Sequence, residues 1–393
     1  MQLPVYLDYA ATTPVDPRVA EIMAGCLTRD GVYANPASVA HAPGRAAHET
    51  VERARAEVAA SIGADPGDLV WTSGATEADN LAVLGAARHG RGGGAHVLTG
   101  RIEHKAVLDA CGQLEREGFA VTRLLPGPGG RYDPGQIEES LREGTRLVSI
   151  MHVNNETGVV QDVAAIARAC RERGVLFHSD AAQSAGRLAL DVEALGVDLM
   201  SFSAHKVYGP KGIGALYVRR AARRRLEPLL FGGGQELGLR AGTLPTHQIA
   251  GMGAAFALAA VELDTENLRL AGLRERLWAP VRELGGVLLN GDAAHSVPGI
   301  LNLSFAGVEG ESLLHALRDL AVSTGSACTT ADSEPSYVLL ALGRDGTLAR
   351  SSVRFSFGRF TSREEIDFAA RRVCAAVSRL RALSPLRGAD AAG

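Results

Sequence analysis

The sequence has few of the features by which membrane, secreted or nucleic-acid-binding proteins are recognised. Its longest nearly apolar stretch, residues 249–261, contains two glycines and is too short to span a bilayer. The amino terminus has no basic segment followed by an apolar run, so we do not expect a signal peptide. The formal net charge of −3 argues against direct binding to nucleic acid or to an anionic membrane, since both depend on a strongly basic surface.

Cysteine and lysine are also scarce. The five cysteines are widely spaced and form no CxxC pair, which predicts neither a zinc site nor a redox disulfide and favours the reducing cytoplasm. No histidine motif typical of a catalytic metal site occurs. Only three of the 41 basic residues are lysines, Lys105, Lys206 and Lys211. In a composition that so strongly favours arginine, each remaining lysine is a candidate for a specific role.

What the chain does contain is ordinary for a folded protein. It has 393 residues, of which 46% are hydrophobic and 22% charged, enough for two or three domains with a large core. Between residues 65 and 218, short apolar runs alternate with amphipathic helical stretches. This alternation predicts a mostly parallel sheet covered by helices on both faces. The predicted strands are 69–72, 96–99, 147–151, 175–178, 199–202 and 215–218.

The rest of the chain has a different pattern. A long helix is predicted from about Thr246 to Leu273, and a terminal helix from Arg363 to Leu383. Between them lie only a few strands, at 287–289, 300–305 and 353–357. We therefore expect a second, smaller α+β domain here. In parallel sheets, ligands bind beyond the carboxyl ends of the strands, so the residues that follow each strand are the candidates for chemistry.

Two charged side chains follow neighbouring predicted strands. Lys206 comes after the strand 199–202, where burial beside an apolar wall lowers the pKa of an amine and makes it a nucleophile suited to pyridoxal phosphate. The alternative is an ordinary surface lysine. Asp180 follows the strand 175–178 and could pair with a protonated pyridine nitrogen. By itself it could equally be a helix cap.

Three further turns carry polar residues. Residues 72–80 turn from a strand into a helix and could bind a phosphate at the helix N-terminus, or form a plain helix cap. His104 could stack on an aromatic ring or transfer protons, although a lone histidine is more often a structural hydrogen-bonding group. Asn155 could hold a cofactor oxygen or a substrate carboxylate, with turn formation as the alternative.

The second domain adds a cysteine and an arginine. Cys328 lies in a run of small and hydroxyl residues rather than aliphatic ones, which favours a reactive thiolate over core packing. Cys26, Cys111, Cys170 and Cys374 are predicted to be ordinary small hydrophobic residues. Arg354 lies inside an otherwise apolar strand, and a buried arginine needs an anion such as a substrate carboxylate.

Taken together, these motifs resemble the cysteine desulfurases, pyridoxal-phosphate enzymes of the class V aminotransferase family, and among them the IscS/NifS-like members that serve iron-sulfur clusters. The likeness extends from Tyr6 to Leu386. It is carried by the segments SGATEADN (73–80), EHKAVLD (103–109), VSIMHVNNETGVVQD (148–162), SFSAHKVYGPKGIGALYVRR (201–220), GTLPTHQI (242–249), GSACTT (325–330) and EPSYVLLALG (334–343).

The resemblance implies a fold and a domain division. The fold would be the type I fold of pyridoxal-phosphate transferases, with a mostly parallel seven-stranded sheet in a large domain and a smaller α+β domain. The large domain would span 16–262. Residues 1–15 and 263–393 would form the small domain, which carries a mobile loop around Cys328.

The resemblance also implies a role for each candidate. Lys206 would form the Schiff base and take the Cα proton, and Cys328 would accept sulfur as a persulfide. The cofactor would be held by Ala75, Thr76, His104, Asn155, Asp180, Gln183, Ser203, His205, Lys206 and, from the second subunit of a homodimer, Thr243. Asn155 and Arg354 would bind the substrate carboxylate. Cys328 would be the only residue to contact a metal, and only as a persulfide shared with an iron-sulfur cluster on a scaffold partner.

The implied reaction converts L-cysteine to L-alanine and passes sulfur to an acceptor protein for iron-sulfur cluster assembly or tRNA thiolation. Ala181, Ala204 and Ala241 replace the residues usual in the family, and these small-for-small changes near the cofactor are expected to tune its binding without abolishing it. The tail after Leu386 is shorter than in housekeeping members, whose tail contacts the iron-sulfur scaffold, so another sulfur acceptor is an alternative. The alternatives are a selenocysteine lyase or an aminotransferase on the same fold, and a scaffold or regulatory protein that has lost the chemistry.

Overall fold

The computed structural model describes residues 2–90, 95–324 and 334–383. Within these ranges the strands are β1 (Val5–Tyr6), β2 (Leu69–Thr72), β3 (His96–Gly100), β4 (Ala120–Leu124), β5 (Thr145–Ser149), β6 (Leu176–Asp180), β7 (Leu199–Ser203), β8 (Gly214–Val218), β9 (Val287–Leu289), β10 (Ile300–Phe305), β11 (Leu320–Ala321) and β12 (Ser352–Ser356).

The same ranges contain α-helices and short 3-10 helices. The α-helices are α1 (Pro17–Ala24), α2 (Ala42–Ser61), α3 (Ala75–Arg88), α4 (Lys105–Arg116), α5 (Pro134–Ser140), α6 (Val163–Glu172), α7 (Val192–Leu195), α8 (Thr246–Arg282), α9 (Gly310–Ala316), α10 (Tyr337–Ala341), α11 (Gly346–Arg350) and α12 (Arg363–Leu383). The 3-10 helices are Pro66–Asp68, Ala204–Lys206, Arg220–Arg225, Glu236–Gly238 and Ala293–His295. Across the described ranges, no helix combines the length and the apolar character needed to cross a membrane.

Seven strands form one sheet, in the order β2-β8-β7-β6-β5-β3-β4. Neighbouring strands are parallel except where β8 pairs with β2 and with β7. Because β8 is antiparallel to both neighbours, β2 runs in the same direction as β7. The carboxyl ends of all strands except β8 therefore meet at one edge, and the prediction of a mostly parallel α/β sheet is confirmed.

Burial explains why most of these strands could be predicted. Every residue of β3, β6, β7 and β8 is buried, as expected for strands covered on both faces. The exception is β4, which the sequence analysis did not predict. It is an edge strand whose residues Ala120–Arg123 are exposed or half-buried, so it lacks the apolar run that marked the others.

A second, three-stranded antiparallel sheet has the order β12-β10-β9. It packs with α9, α12 and the end of α8 around a separate apolar core that includes Leu277, Leu303 and Phe355. The helix α8 begins at Thr246 as predicted but continues to Arg282, beyond the expected Leu273. Its first half packs on the large sheet and its second half on the small one, so one helix joins the two cores. The domain boundaries at 15/16 and 262/263 stay a prediction.

Candidate active site

A cavity of about 600 Å³ lies at the sheet edge where the parallel strands end. It is lined by most of the residues that the sequence singled out. These are Ala75, Thr76, His104, Asn155, Asp180, Gln183, Ser203, His205, Lys206 and Arg354. Residues more than 270 positions apart in the chain are thus brought into one chamber by the sheet and by β12.

Two of the predicted site residues are not among the described residues that line this cavity. Thr243 is exposed, in the segment that precedes α8. Cys328 lies outside the described residues. The other four cysteines carry free thiols; Cys111 and Cys170 are buried in apolar cores, as predicted, and burial raises the pKa of both to about 12. Among the described residues, no group of three or more acidic, histidine or cysteine side chains could hold a metal ion.

Lys206 lies in the short 3-10 turn that follows β7. Its Nζ atom donates hydrogen bonds to the backbone oxygens of Ala10 (2.5 Å) and Ala11 (2.8 Å). Burial, followed by the positive charges of Arg187 and Arg354, lowers the pKa of Lys206 to about 7. Half of the amine is therefore neutral near pH 7, which makes it a competent nucleophile and base.

Asp180 is the last residue of β6, the strand next to β7. Its Oδ1 atom accepts a hydrogen bond from the backbone N–H of Ala182 (2.8 Å). Burial raises the pKa of Asp180, while the charges of His104 and Lys206 oppose this rise. A cation placed beside the buried carboxylate would stabilise its ionised form, so this position suits a protonated ring nitrogen.

Two more carboxyl groups lie near Asp180, on α3 and just after β3. Asp79 and Glu103 are buried, and burial together with the charge of Asp180 raises the pKa of each well above its usual value. Glu103 accepts a hydrogen bond from the backbone N–H of Met151 (2.8 Å), and both oxygens of Asp79 have no hydrogen-bond partner among the described residues. Three close carboxylates cannot all ionise in a buried site. We therefore take Asp79 and Glu103 as neutral and Asp180 as the member that carries charge.

The N-terminus of α3 opens onto the cavity. No side chain caps this terminus, so its first N–H groups are free of a capping partner. Gly74, which precedes the helix, has a φ of +150°, and a Cβ atom placed there would meet nothing within 4 Å. The buried hydroxyl of Ser203 has no partner among the described residues. Open space, helix N–H groups and a spare hydroxyl suit a phosphate group.

Two amide side chains complete the wall. Gln183 donates from Nε2 to the Ala10 oxygen (2.8 Å) and accepts at Oε1 from Arg187 (2.6 Å). The Oδ1 atom of Asn155 is buried without a hydrogen-bond partner among the described residues. A buried amide oxygen left unsatisfied costs about 1–3 kcal/mol, so it is expected to meet a ligand or a water molecule.

His104 has a structural role at the same time as it lines the cavity. It caps α4, because its Nδ1 atom accepts a hydrogen bond from the backbone N–H of Ala106 (3.2 Å). In the neutral ring the proton must then be on Nε2. The structural and the functional interpretation of this histidine are therefore compatible, since capping uses one nitrogen only.

Arg354 differs from what the sequence analysis assumed. We expected its buried guanidinium to need a substrate carboxylate, but the structure already supplies an anion: Nη2 donates to Oδ1 of Asp8 (2.7 Å). Its Nη1 atom donates to the backbone oxygen of Asn155 (2.8 Å). The Asp8 pairing does not test the substrate role, because Arg354 still lines the cavity.

Sequence reasoning missed Asp8 and assigned no role to Lys211. Asp8 precedes Arg354 by 346 positions, and no local pattern links the two. Lys211 lines the cavity and has a signal that could have identified it, since it is one of only three lysines.

The residues present fit pyridoxal phosphate. A phosphate cradle, an unsatisfied hydroxyl and amide, a buried carboxylate and a lysine with a lowered pKa surround one cavity. A cavity of this size can hold a small aromatic cofactor together with an amino acid.

Comparison with known proteins gives a consistent result. Residues 5–368 match the family model described as aminotransferase class-V. A cysteine desulfurase IscS of Azotobacter vinelandii is 61% identical over 386 residues, which cover 98% of this chain and 96% of that protein. A solved NifS-like protein superimposes with a TM-score of 0.89 at 34% identity, covering 96% of this chain and all of the other. The structure "SspA in complex with cysteine" gives a TM-score of 0.81 at 38% identity, covering 91% and 100%.

The lowered pKa of Lys206 predicts how the cofactor-free protein reacts with pyridoxal phosphate. Protonated amine cannot attack an aldehyde, so the reloading rate should fall about tenfold per pH unit below about pH 7 and become constant above it. The rate of visible absorbance recovery, measured from about pH 5 to about pH 9, checks this. Lys105→Arg, which changes a lysine outside the cavity, should give the same profile. A rate that keeps rising to pH 9 would show that Lys206 has an ordinary pKa.

Proposed function

The chain belongs to the aminotransferase class-V family, and we propose from this premise that it is a pyridoxal-phosphate-dependent cysteine desulfurase. It converts L-cysteine to L-alanine and retains the sulfur as a persulfide on Cys328. The observation that carries the proposal is the 61% identity to a cysteine desulfurase over 98% of the chain, combined with a cavity lined by Lys206, Asp180 and Arg354. A solved relative in complex with cysteine supports the choice of substrate.

Pyridoxal phosphate supplies an electron-withdrawing ring that stabilises negative charge at the substrate Cα. The first turn of α3 would bind its phosphate, together with Ser203 and His205. Asp180 would pair with the ring nitrogen, and Gln183 and Asn155 would bond its ring oxygen. His104, which presents its Nε2 proton, would stack on the ring.

Lys206 has two tasks that its lowered pKa makes compatible. It would hold the cofactor covalently, and its neutral Nζ would take the Cα proton of the substrate. An amine with a pKa near 7 can accept this proton and give it back at neutral pH. The carbonyls of Ala10 and Ala11 hold the resulting ammonium by the hydrogen bonds already described.

Arg354 and Asn155 bind the substrate carboxylate. The guanidinium is held in place by Asp8 and by the Asn155 backbone, so its position is fixed before substrate arrives. The Asn155 side chain lines the same cavity, and its NH2 group would donate to the carboxylate. Fixing the carboxylate at two points orients the Cα–H bond toward Lys206, which is the geometric requirement for its removal.

Cys328 accepts the sulfur. Its thiolate attacks the substrate sulfur, a new S–S bond forms, and the C–S bond breaks with its electron pair left on the substrate carbon. Proton return to that carbon releases alanine. L-cysteine and one thiol thus give alanine and one persulfide, and no external oxidant or reductant is needed.

The enzyme acts in the cytoplasm as a homodimer and donates sulfur to acceptor proteins, among them an iron-sulfur scaffold whose cluster the Cys328 persulfide would share. Exposed apolar side chains before α8 support a second copy as partner: Phe231 is 84% exposed, with Leu230 and Leu237 nearby in the chain. Thr243 follows in the same segment, which supports its reaching the phosphate of the other subunit.

Replacing the persulfide cysteine separates this function from its alternatives. Cys328→Ala should lose alanine and sulfide production by more than about 100-fold while keeping the visible absorbance of the cofactor, because only the sulfur acceptor is removed. The assay measures both products from L-cysteine with a reductant present. Cys374→Ala, which changes a half-buried cysteine outside the cavity, is the matched control and should stay active. Sulfide release at the unmodified rate by Cys328→Ala would instead favour a lyase or an aminotransferase.

The substrate-carboxylate role of Arg354 predicts a selective kinetic defect. Arg354→Lys should raise KM for L-cysteine about 10- to 100-fold, since it loses one charge-assisted hydrogen bond worth about 1.5–3 kcal/mol. Steady-state kinetics with the cofactor spectrum as a check measure this. Arg359→Lys alters a half-buried, ion-paired arginine that does not line the cavity, and its KM should not change. Equal KM values for both variants would remove Arg354 from the substrate site.

A site completed by the second subunit predicts complementation. Thr243→Ala and Lys206→Ala homodimers should each have two defective sites. A heterodimer of the two would contain one site with both native residues, and should bind cofactor with native affinity at about half of its sites. Differently tagged subunits and a cofactor titration measure this. If Thr243 acts within its own chain, no site of the heterodimer recovers.

A further inference from the structure

Arg187 is a buried cation next to the cavity to which the proposed reaction gives no role. It is 8% exposed, and its Nη1 atom donates to two oxygens of Gln183, the backbone oxygen (3.0 Å) and the side-chain Oε1 (2.6 Å). Burying a guanidinium costs folding free energy unless its N–H groups donate hydrogen bonds. Here the Nη1 group donates both of its hydrogen bonds to Gln183, a neutral residue that lines the cavity.

This contact settles which way the Gln183 amide faces. A guanidinium has donors only, so the atom it meets must be the amide oxygen. The other end of the amide is then the NH2 group, whose nitrogen donates to the Ala10 oxygen (2.8 Å). One hydrogen of that NH2 group serves Ala10, and the second is available to a ligand oxygen in the cavity.

The same carbonyl connects Arg187 to the reactive amine. The Ala10 oxygen accepts from both Gln183 and the Nζ atom of Lys206. A continuous hydrogen-bonded chain therefore runs from the guanidinium through Gln183 and Ala10 to Lys206. Moving the Arg187 guanidinium would therefore displace the Gln183 amide and the Ala10 carbonyl, which hold the Lys206 amine in place.

Arg187 also acts on Lys206 through its positive charge. After burial, the positive charge of Arg187 is the largest cause of the lowered pKa of Lys206. An arginine remains protonated even where burial lowers its pKa, so this charge is permanent. The other charged or titratable groups that face Lys206 or Arg187 are Arg354, Asp180, Asp8, His205, Tyr208 and Glu266.

We propose that Arg187 is a positioning residue that orients the Gln183 amide with its NH2 group toward the cavity and keeps a fixed positive charge beside Lys206. The proposal rests on the proposed function, in which Gln183 and Lys206 hold the cofactor. It adds a residue that acts through both of them without lining the cavity itself.

The test is a pH titration of the visible absorption band in the holoenzyme, which reports the protonation of the Lys206 nitrogen. Arg187→Met removes both charge and donors, and Arg187→Gln keeps a donor but no charge. Both should raise the titration midpoint by about one pH unit, because a nearby cation disfavours the protonated form. Only Arg187→Met should also weaken cofactor binding strongly. Asn267→Ala removes a hydrogen bond to the Arg187 backbone oxygen but leaves the guanidinium, so its midpoint should not change.

A second measurement, the pKa of Lys206 in the cofactor-free protein, tests the role of Arg187 independently of the proposed function. The chain has only three lysines, so selective isotope labelling gives three side-chain signals in the full-length protein without cofactor. The signal lost in Lys206→Ala identifies Lys206, and its pKa should be higher in Arg187→Gln than in the native chain. An unchanged pKa in this experiment and an unchanged midpoint in the holoenzyme would overturn the role of Arg187. Failure of the native chain to bind pyridoxal phosphate would overturn the proposed function instead.

Discussion

The structure of this site depends on keeping one buried lysine amine neutral. Burial alone disfavours the ammonium form of Lys206, and the cations Arg187 and Arg354 add to that effect. The negative charges of Asp180 and Asp8 oppose it only partly. The carbonyls of Ala10 and Ala11 hold the amine in place by hydrogen bonds in either protonation state. The balance lies near neutral pH, where a single amine can act both as nucleophile and as base.

The same low-dielectric environment has the opposite effect on the buried acids near Asp180. Burial and mutual repulsion favour neutral Asp79 and Glu103, so the negative charge is concentrated on Asp180. The helix N–H groups of α3 lie at the region proposed for the phosphate and Arg354 at the region proposed for the carboxylate, while Asp180 lies where a ring nitrogen would be. The cavity is therefore polarised in a way that fixes the orientation of a cofactor carrying charge of both signs.

Much of the fold and of the candidate site could be predicted from local sequence. Buried strands read as apolar runs, and the residues directly after them, such as Asp180 and Lys206, were identified because parallel strands present their carboxyl ends at one edge. The edge strand β4 was not predicted, because its half-exposed residues carry no apolar run. The pairing of Asp8 with Arg354 was not predicted either. It joins residues 346 positions apart, and no periodicity relates two such segments.

The sequence by itself determined the fold class, the strands buried on both faces and the residue types available for chemistry, because these follow from local patterns of burial and from scarce residues such as lysine. Only the tertiary structure decided how those residues act on one another. The N-terminal segment places the Ala10 carbonyl between Gln183 and Lys206, and Arg187 turns the amide that faces the cavity. Such contacts depend on distances of a few ångströms between segments far apart in the chain, and a pKa responds to those distances rather than to sequence order.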